Sequence, residues 1–153
     1  MFAPVSRILS LRILLALATL KYLRVFAWDV DSTYLHGKIN HDIYISFLDG
    51  YDKLGKVGKL NKVLHGLLEA THIWREDLEE KLKSLRFAPL ESDTGVFLHK
   101  SKEGITAIDM HVDDSTRICS SEEEESKLKV DIQKFYRIKR KIHLSPSKFW
   151  EYW

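Results

Sequence analysis

Residues 105–118 constrain the fold more than any other stretch of the chain. The run ITAIDMHV is rich in apolar and β-branched residues, two aspartates follow it, and STRI resumes the apolar character. Alternation places Ile105, Ala107, Asp109, His111 and Asp113 on one face of a strand. Thr106, Ile108, Met110, Val112 and Asp114 take the other. Asp113-Asp114 therefore falls where the strand turns, and residues 115–118 return beside it. Residues 96–99 read as a preceding strand, joined to 105–112 by a turn at 100–104.

Around this hairpin the pattern switches between two periods. Residues 25–30 read as a strand with Phe26, Trp28 and Val30 on one face and Val25, Ala27 and Asp29 on the other. The bulky face should pack on helices and leave Asp29 on the open one. Trp74, Leu78, Leu82 and Leu85 recur at helical spacing opposite charged residues, in a helix ending near Arg86. A first helix is expected at 6–20, with Ser6 as its cap. Ser121 before Glu122, Glu123, Glu124 and Glu125 marks a third helix start, the acids complementing the helix dipole. Lys139, Arg140 and Lys141 follow that helix. Residues 42–48 read as another strand and 50–62 as a loop. The fold class implied is α+β, a mostly antiparallel sheet with helices packed on one face.

With 44% hydrophobic and 30% charged residues, one soluble domain is expected. The formal charge of +2 is too small to make the whole molecule a nucleic-acid binder. Arg12 interrupts the apolar run at 7–20, which is too short for the roughly 20 residues of a membrane span. No small-residue cleavage site follows it, so a secreted or membrane protein is not expected. A single cysteine, Cys119, excludes an internal disulfide and fits an intracellular, cytoplasmic or nuclear setting.

Asp29 at a strand end and Asp113-Asp114 at a hairpin turn are hard oxygen donors on rigid elements. Such donors suit two magnesium ions about 4 Å apart, the arrangement of two-metal phosphoryl transfer. An Asp-Asp pair in a turn is by itself ordinarily a solvated turn. The histidines are dispersed, and His65 with His72 lacks the spacing of a helical zinc pair. Gly55-Lys56-Val57-Gly58-Lys59 lacks phosphate-loop spacing. Lys56, Lys59 and Lys62 are candidates for a nucleic-acid backbone, against an ordinary solvated loop. Trp150, Tyr152 and Trp153 belong to an aromatic tail, for which base stacking is the sharper alternative.

Several ordered segments carry a resemblance. Phe2-Ala3-Pro4-Val5-Ser6-Arg7, followed by Arg12-Ile13-Leu14-Leu15-Ala16-Leu17-Ala18, resembles the helix that opens the palm of copia-type retrotransposon reverse transcriptases. Asp29-Val30-Asp31-Ser32-Thr33-Tyr34-Leu35-His36-Gly37 is similar to that family's first catalytic motif. Asp42-Ile43-Tyr44-Ile45, Gly50-Tyr51, Leu64-His65-Gly66-Leu67, Ala70 and Trp74 match further positions. Asp93, Val96 and Phe97 resemble its Asp-x-x-Val-Phe element, and His111-Val112-Asp113-Asp114 its Tyr-Val-Asp-Asp box. The resemblance implies a partial palm over residues 2–138 and an irregular C-terminal tail over 139–153. Upstream fingers would be mostly missing, with no thumb or ribonuclease H domain.

By that resemblance the chain is a fragment of an RNA-directed DNA polymerase, a nucleotidyltransferase of a transposable element. Asp29, Asp113 and Asp114 would be its catalytic metal ligands for two Mg2+ or Mn2+ ions. Val30, Tyr34 and Glu69 would lie near the nucleotide. The implied partners are an RNA or DNA template-primer and deoxynucleotide triphosphates, with self-association through uncovered apolar surface. Three departures bear on activity: the box tyrosine is His111, a second motif tyrosine is His65, and Gln-Ala-Pro-Arg is replaced by Glu69-Ala70-Thr71-His72. An anion at Glu69 should repel phosphate, so activity is expected to be impaired. The alternative is a non-catalytic remnant acting as a small binding protein.

Overall fold

A computed structural model describes residues 5–31, 39, 41–47, 56–64, 67, 69–102, 104–112 and 114–144. The strands are β1 (Arg24–Val30), β2 (Tyr44–Ile45), β3 (Gly58–Lys59), β4 (Ala88–Pro89), β5 (Val96–Lys100), β6 (Ile105–His111), β7 (Asp114–Cys119) and β8 (Ile138–Leu144). The helices are α1 (Ile8–Leu20), α2 (Ala70–Ser84) and α3 (Glu122–Gln133). Six strands form one antiparallel sheet in the order β4-β5-β6-β7-β1-β8, and β2 pairs with β3 separately. This is the α+β class that the sequence implied.

The period-two face of β1 decides which side carries the main core. Trp28 and Val30 are buried with Ile108 and Met110 of β6, Trp74, Leu78 and Leu82 of α2, and Leu128 and Ile132 of α3. The stripe expected on α2 is thus the buried one, with Leu85 packed against its end. The opposite face is not left open as expected. Leu11, Leu15 and Ala18 of α1 cover Val25, Ala107 and Ile118 there. Two helices share one face of the sheet and α1 takes the other.

Ser121 caps α3 as read from the sequence, its side chain accepting from the Glu124 amide at 3.1 Å. Ser6 does not cap α1. The helix starts later, with Arg7 at the cap position and no side-chain cap of its own. Ser6 is instead buried, its amide bonded to the Met110 carbonyl at 2.9 Å. The cap comes from a residue distant in sequence: Asp93 Oδ2 accepts the Arg7 amide at 2.8 Å and the Ser10 hydroxyl at 2.6 Å. Asp93 Oδ1 accepts the Gly95 amide at 3.0 Å. A Cβ on Gly95 would lie 2.5 Å from the Ser6 nitrogen, so only glycine lets this backbone approach.

Two further differences concern strands. Among the described residues, the strand expected at 42–48 pairs at Tyr44–Ile45, against Gly58–Lys59 in the segment read as a loop. Residues 138–144, assigned mostly to an irregular tail, form β8 against β1. There Leu144 and Ile142 pair with Val25 and Ala27, and Ile138 pairs with Val30 across a register shift, an apolar pattern that the basic run at 139–141 hides. Beneath the sheet, Arg117 is fully buried with its guanidinium 3.6 Å from the Trp28 ring centre and 3.5 Å from Glu125. Among the described residues no helix is long and apolar enough to cross a membrane.

Candidate active site

Burial of Trp28 and Val30 turns Asp29 to the α1 side of the sheet, where it is half-buried. Its register partner on β7 is Asp114, and on β8 it is Arg140. Directly opposed residues of an antiparallel pair share a face with Cβ atoms about 5 Å apart. Two carboxylates so placed repel one another, and a cation between them converts that cost into binding.

Asp114 reaches this face because of the hairpin. His111 pairs with Asp114, so the chain reverses between them, with Val112 in a turn. Continuing the alternation of β6 would have set Asp114 on the face of Ile108 and Met110; the reversal after two residues sets it with Asp109 and His111 instead. Val112 holds φ at +60°, a conformation β-branched residues rarely adopt. Trp74 Nε1 secures the turn by donating to the Val112 carbonyl at 3.1 Å. An edge-to-face contact at 5.0 Å fixes Trp74 against Tyr136, whose hydroxyl donates to Asp77 at 2.6 Å.

The expected residues divide. Asp29 and Asp114 come together. Asp113 and Tyr34 lie outside the described residues. Val30 has its side chain in the core, so any nucleotide contact falls to its main chain. Glu69 is at the cap position of α2, 3.3 Å from His41. Among the described residues no three His, Cys, Asp or Glu side chains gather as a metal set. The donors at Asp29 and Asp114 are carboxylates only, which suits magnesium or manganese and not a thiolate-seeking ion. Cys119 is buried, and that burial pushes its thiol up to about 11, away from the thiolate a nucleophile needs.

Sequence reading named two further carboxylates without giving either a role in the fold. Asp93 is the cap described above. Asp109, on the same face as Asp114, is 2% exposed, and burial pushes its pKa up to about 6. The charge of Asp93 adds to that rise, while the Ser6 hydroxyl bond and nearby His111 oppose it. Alternation from His111 had already put Asp109 on this face; its depth under α1 needed the fold.

The chain matches the family described as reverse transcriptase (RNA-dependent DNA polymerase) over residues 1–149. It belongs to that family. The retrovirus-related Pol polyprotein from tobacco transposon TNT 1-94 is 32% identical over 142 residues, 90% of this chain and 11% of the polyprotein. The Pol polyprotein from Arabidopsis thaliana transposon RE1 is 32% identical over 116 residues, 74% of this chain and 8% of that polyprotein. A putative transposon Ty5-1 protein of Saccharomyces cerevisiae is 25% identical over 114 residues, 72% of this chain and 37% of that protein. The chain thus spans about a tenth of its plant relatives' length. No solved structure matches it.

Proposed function

We propose that Asp29, Asp113 and Asp114 form a two-metal site for RNA-directed DNA synthesis, in which a primer 3′-hydroxyl attacks the α-phosphate of a deoxynucleotide and pyrophosphate leaves. The register pairing of Asp29 with Asp114 is the observation that carries this reading. Mg2+ or Mn2+ held there would supply charge stabilisation to the attacking and leaving oxygens. Asp29 and Asp114 hold their places through the strands that bear them. Trp74 steadies the turn between His111 and Asp114. The Val30 main chain and Tyr34 would flank the sugar, and the template-primer would lie across the adjoining surface.

The rival reading is a remnant that keeps the carboxylates and has lost turnover. Glu69 favours it, because an anion near the triphosphate would oppose binding, and the electrostatic contribution to this chemistry is large. Exposed apolar side chains on α1, among them Leu9 and Leu20, support self-association of such a chain.

Calorimetric titration with Mn2+ and primer extension on an RNA template test both readings. Binding that Asp29→Asn with Asp113→Asn abolishes, with extension, supports a working polymerase site. Binding without extension supports the remnant, and Glu69→Gln should then restore some extension if the anion is the fault. No carboxylate-dependent binding by folded protein removes the metal site.

A further inference from the structure

The helix α1 is apolar on two sides. Leu11, Leu15 and Ala18 pack on the sheet, yet Ile8, Leu9, Ile13, Leu17 and Leu20 stay between 45% and 73% exposed. At about 100° per residue, Leu9, Ile13, Ala16 and Leu20 fall on one line opposite the buried face, at spacings of four, three and four. Ala16 on that line is exposed as well. Such spacing is the seam along which one helix packs against another, and the sheet occupies only the other side of this one. On one flank Ile13 and Leu17 border a groove of about 430 Å3 that reaches Leu98 of β5 and Ile105 of β6. The five exposed side chains leave about 500 Å2 of apolar surface in water, at the upper end of what a soluble monomer carries in one patch.

We propose that two copies of this chain pair through α1, antiparallel, about a twofold axis that passes between Ile13 and Ala16. The seam is its own complement in that arrangement, which favours a second copy over an unrelated helix. Leu9 meets Leu20 of the second copy at each end. At the centre Ile13 fills the space that the small Ala16 leaves, so the two helices approach closely. Arg12, beside the seam, falls opposite Thr19 of the second copy, and Lys21 turns off the seam, so no like charges are opposed. Each helix end then lies beside the oppositely charged end of the other helix dipole. With Ile105 across the groove, 48% exposed, and the stem of Arg12, the patch approaches the roughly 800 Å2 that each partner gives to a standard interface. This gives the self-association of the chain a defined surface, whether or not Asp29 and Asp114 support turnover.

The test is sedimentation velocity of the full chain over a wide range of protein concentration in chelator, with circular dichroism to confirm folding. Wild type should pass from the mass of one chain to that of two and stop there. Ile13→Glu and the milder Leu20→Ser should each weaken dimerisation at least tenfold with unchanged spectra, whereas Val130→Glu, at a 60% exposed position on α3, should not. Leu9→Cys mixed with Leu20→Cys should give a disulfide-linked dimer on oxidation, and neither variant alone should; the buried Cys119 does not compete. A folded wild type that stays monomeric overturns the proposal, and its sedimentation with anionic phospholipid vesicles would then make lipid the occupant. Dimers that survive both seam substitutions, open-ended assembly, or cross-linking of Leu20→Cys to itself equally overturn it. Failure of the polymerase reading is distinct: absence of carboxylate-dependent Mn2+ binding leaves the dimer intact, and where that binding exists the monomeric Ile13→Glu chain keeps it.

Discussion

Replacing Asp93 with alanine should detach the N-terminal end of α1 from the sheet. The carboxylate, 8% exposed, accepts bonds from the Arg7 amide, the Ser10 hydroxyl and the Gly95 amide at 2.8, 2.6 and 3.0 Å. Bonds to a charged acceptor contribute about 1.5–3 kcal/mol each when counted singly. Sharing one carboxylate and partial replacement by water bring the sum down to about 3 kcal/mol, somewhat above a typical helix cap. For a domain of this size that is a fall in Tm of about 6–12 °C. Urea unfolding followed by circular dichroism measures it, with Ser10→Ala in both backgrounds. The hydroxyl should count in wild type and contribute almost nothing once Asp93 is gone. Acid provides a second check. Burial alone would raise the Asp93 pKa, but the bonds from Ser10, Arg7 and Gly95 outweigh it and hold it below 3.8. The stabilisation is therefore present above that value and disappears as pH falls through the lower folded-state pKa. A loss below about 1 kcal/mol, or an undiminished Ser10 effect in Asp93→Ala, refutes this capping role.

Other substitutions probe the core and the turn. Arg117→Met should cost about 3–5 kcal/mol by leaving Glu125 buried without its cation, and adding Glu125→Leu should recover most of that loss in urea melts. Asp109 has the opposite linkage to Asp93. With its pKa raised to about 6, ionising it costs folding stability, so wild type should lose about 3 kcal/mol relative to Asp109→Asn between pH 4 and pH 8 in metal-free buffer. Equal pH dependence of the two proteins would contradict its burial as an anion. Val112→Gly should relieve the positive φ and stabilise the hairpin by about 1 kcal/mol in the same assay; destabilisation would mean that the valine side chain contributes packing that outweighs the strain.

The hairpin, the α2 stripe and the α3 cap were legible because each is written in consecutive residues. Ile105–His111 is a run of strand-forming residues, Trp74, Leu78 and Leu82 repeat at helical spacing, and Ser121 precedes its own helix. The α1 cap was not legible, since Asp93 lies 86 residues from the amide it binds. β8 was hidden by the basic residues at 139–141, which read as charges following a helix. Asp29 was assigned to the correct face from one strand's period. Asp114 was not, because a two-residue reversal sends the chain back on the face that it left. Its meeting with Asp29 depends on pairing between strands distant in sequence, and period alone cannot specify that register.

That register also divides the α1 side of the sheet into successive rows. Val25, Ile118 and Ala107 form an apolar row beneath α1; Ala27, Thr116 and Asp109 form a mixed one; Asp29, Asp114 and His111 form a polar one at the turn. α1 packs on the first row, while Trp28, Val30 and Met110 anchor the same strands from below. The carboxylates are held by apolar packing elsewhere, against their own repulsion. Asp29→Asn should therefore stabilise the chain in chelator by about 0.5–1 kcal/mol, the scale of one cross-strand pair, while weakening Mn2+ binding. Urea unfolding with and without Mn2+ separates the two effects. A loss of stability in chelator would instead make Asp29 a structural partner, with Arg140 at its other register position as the residue to test next.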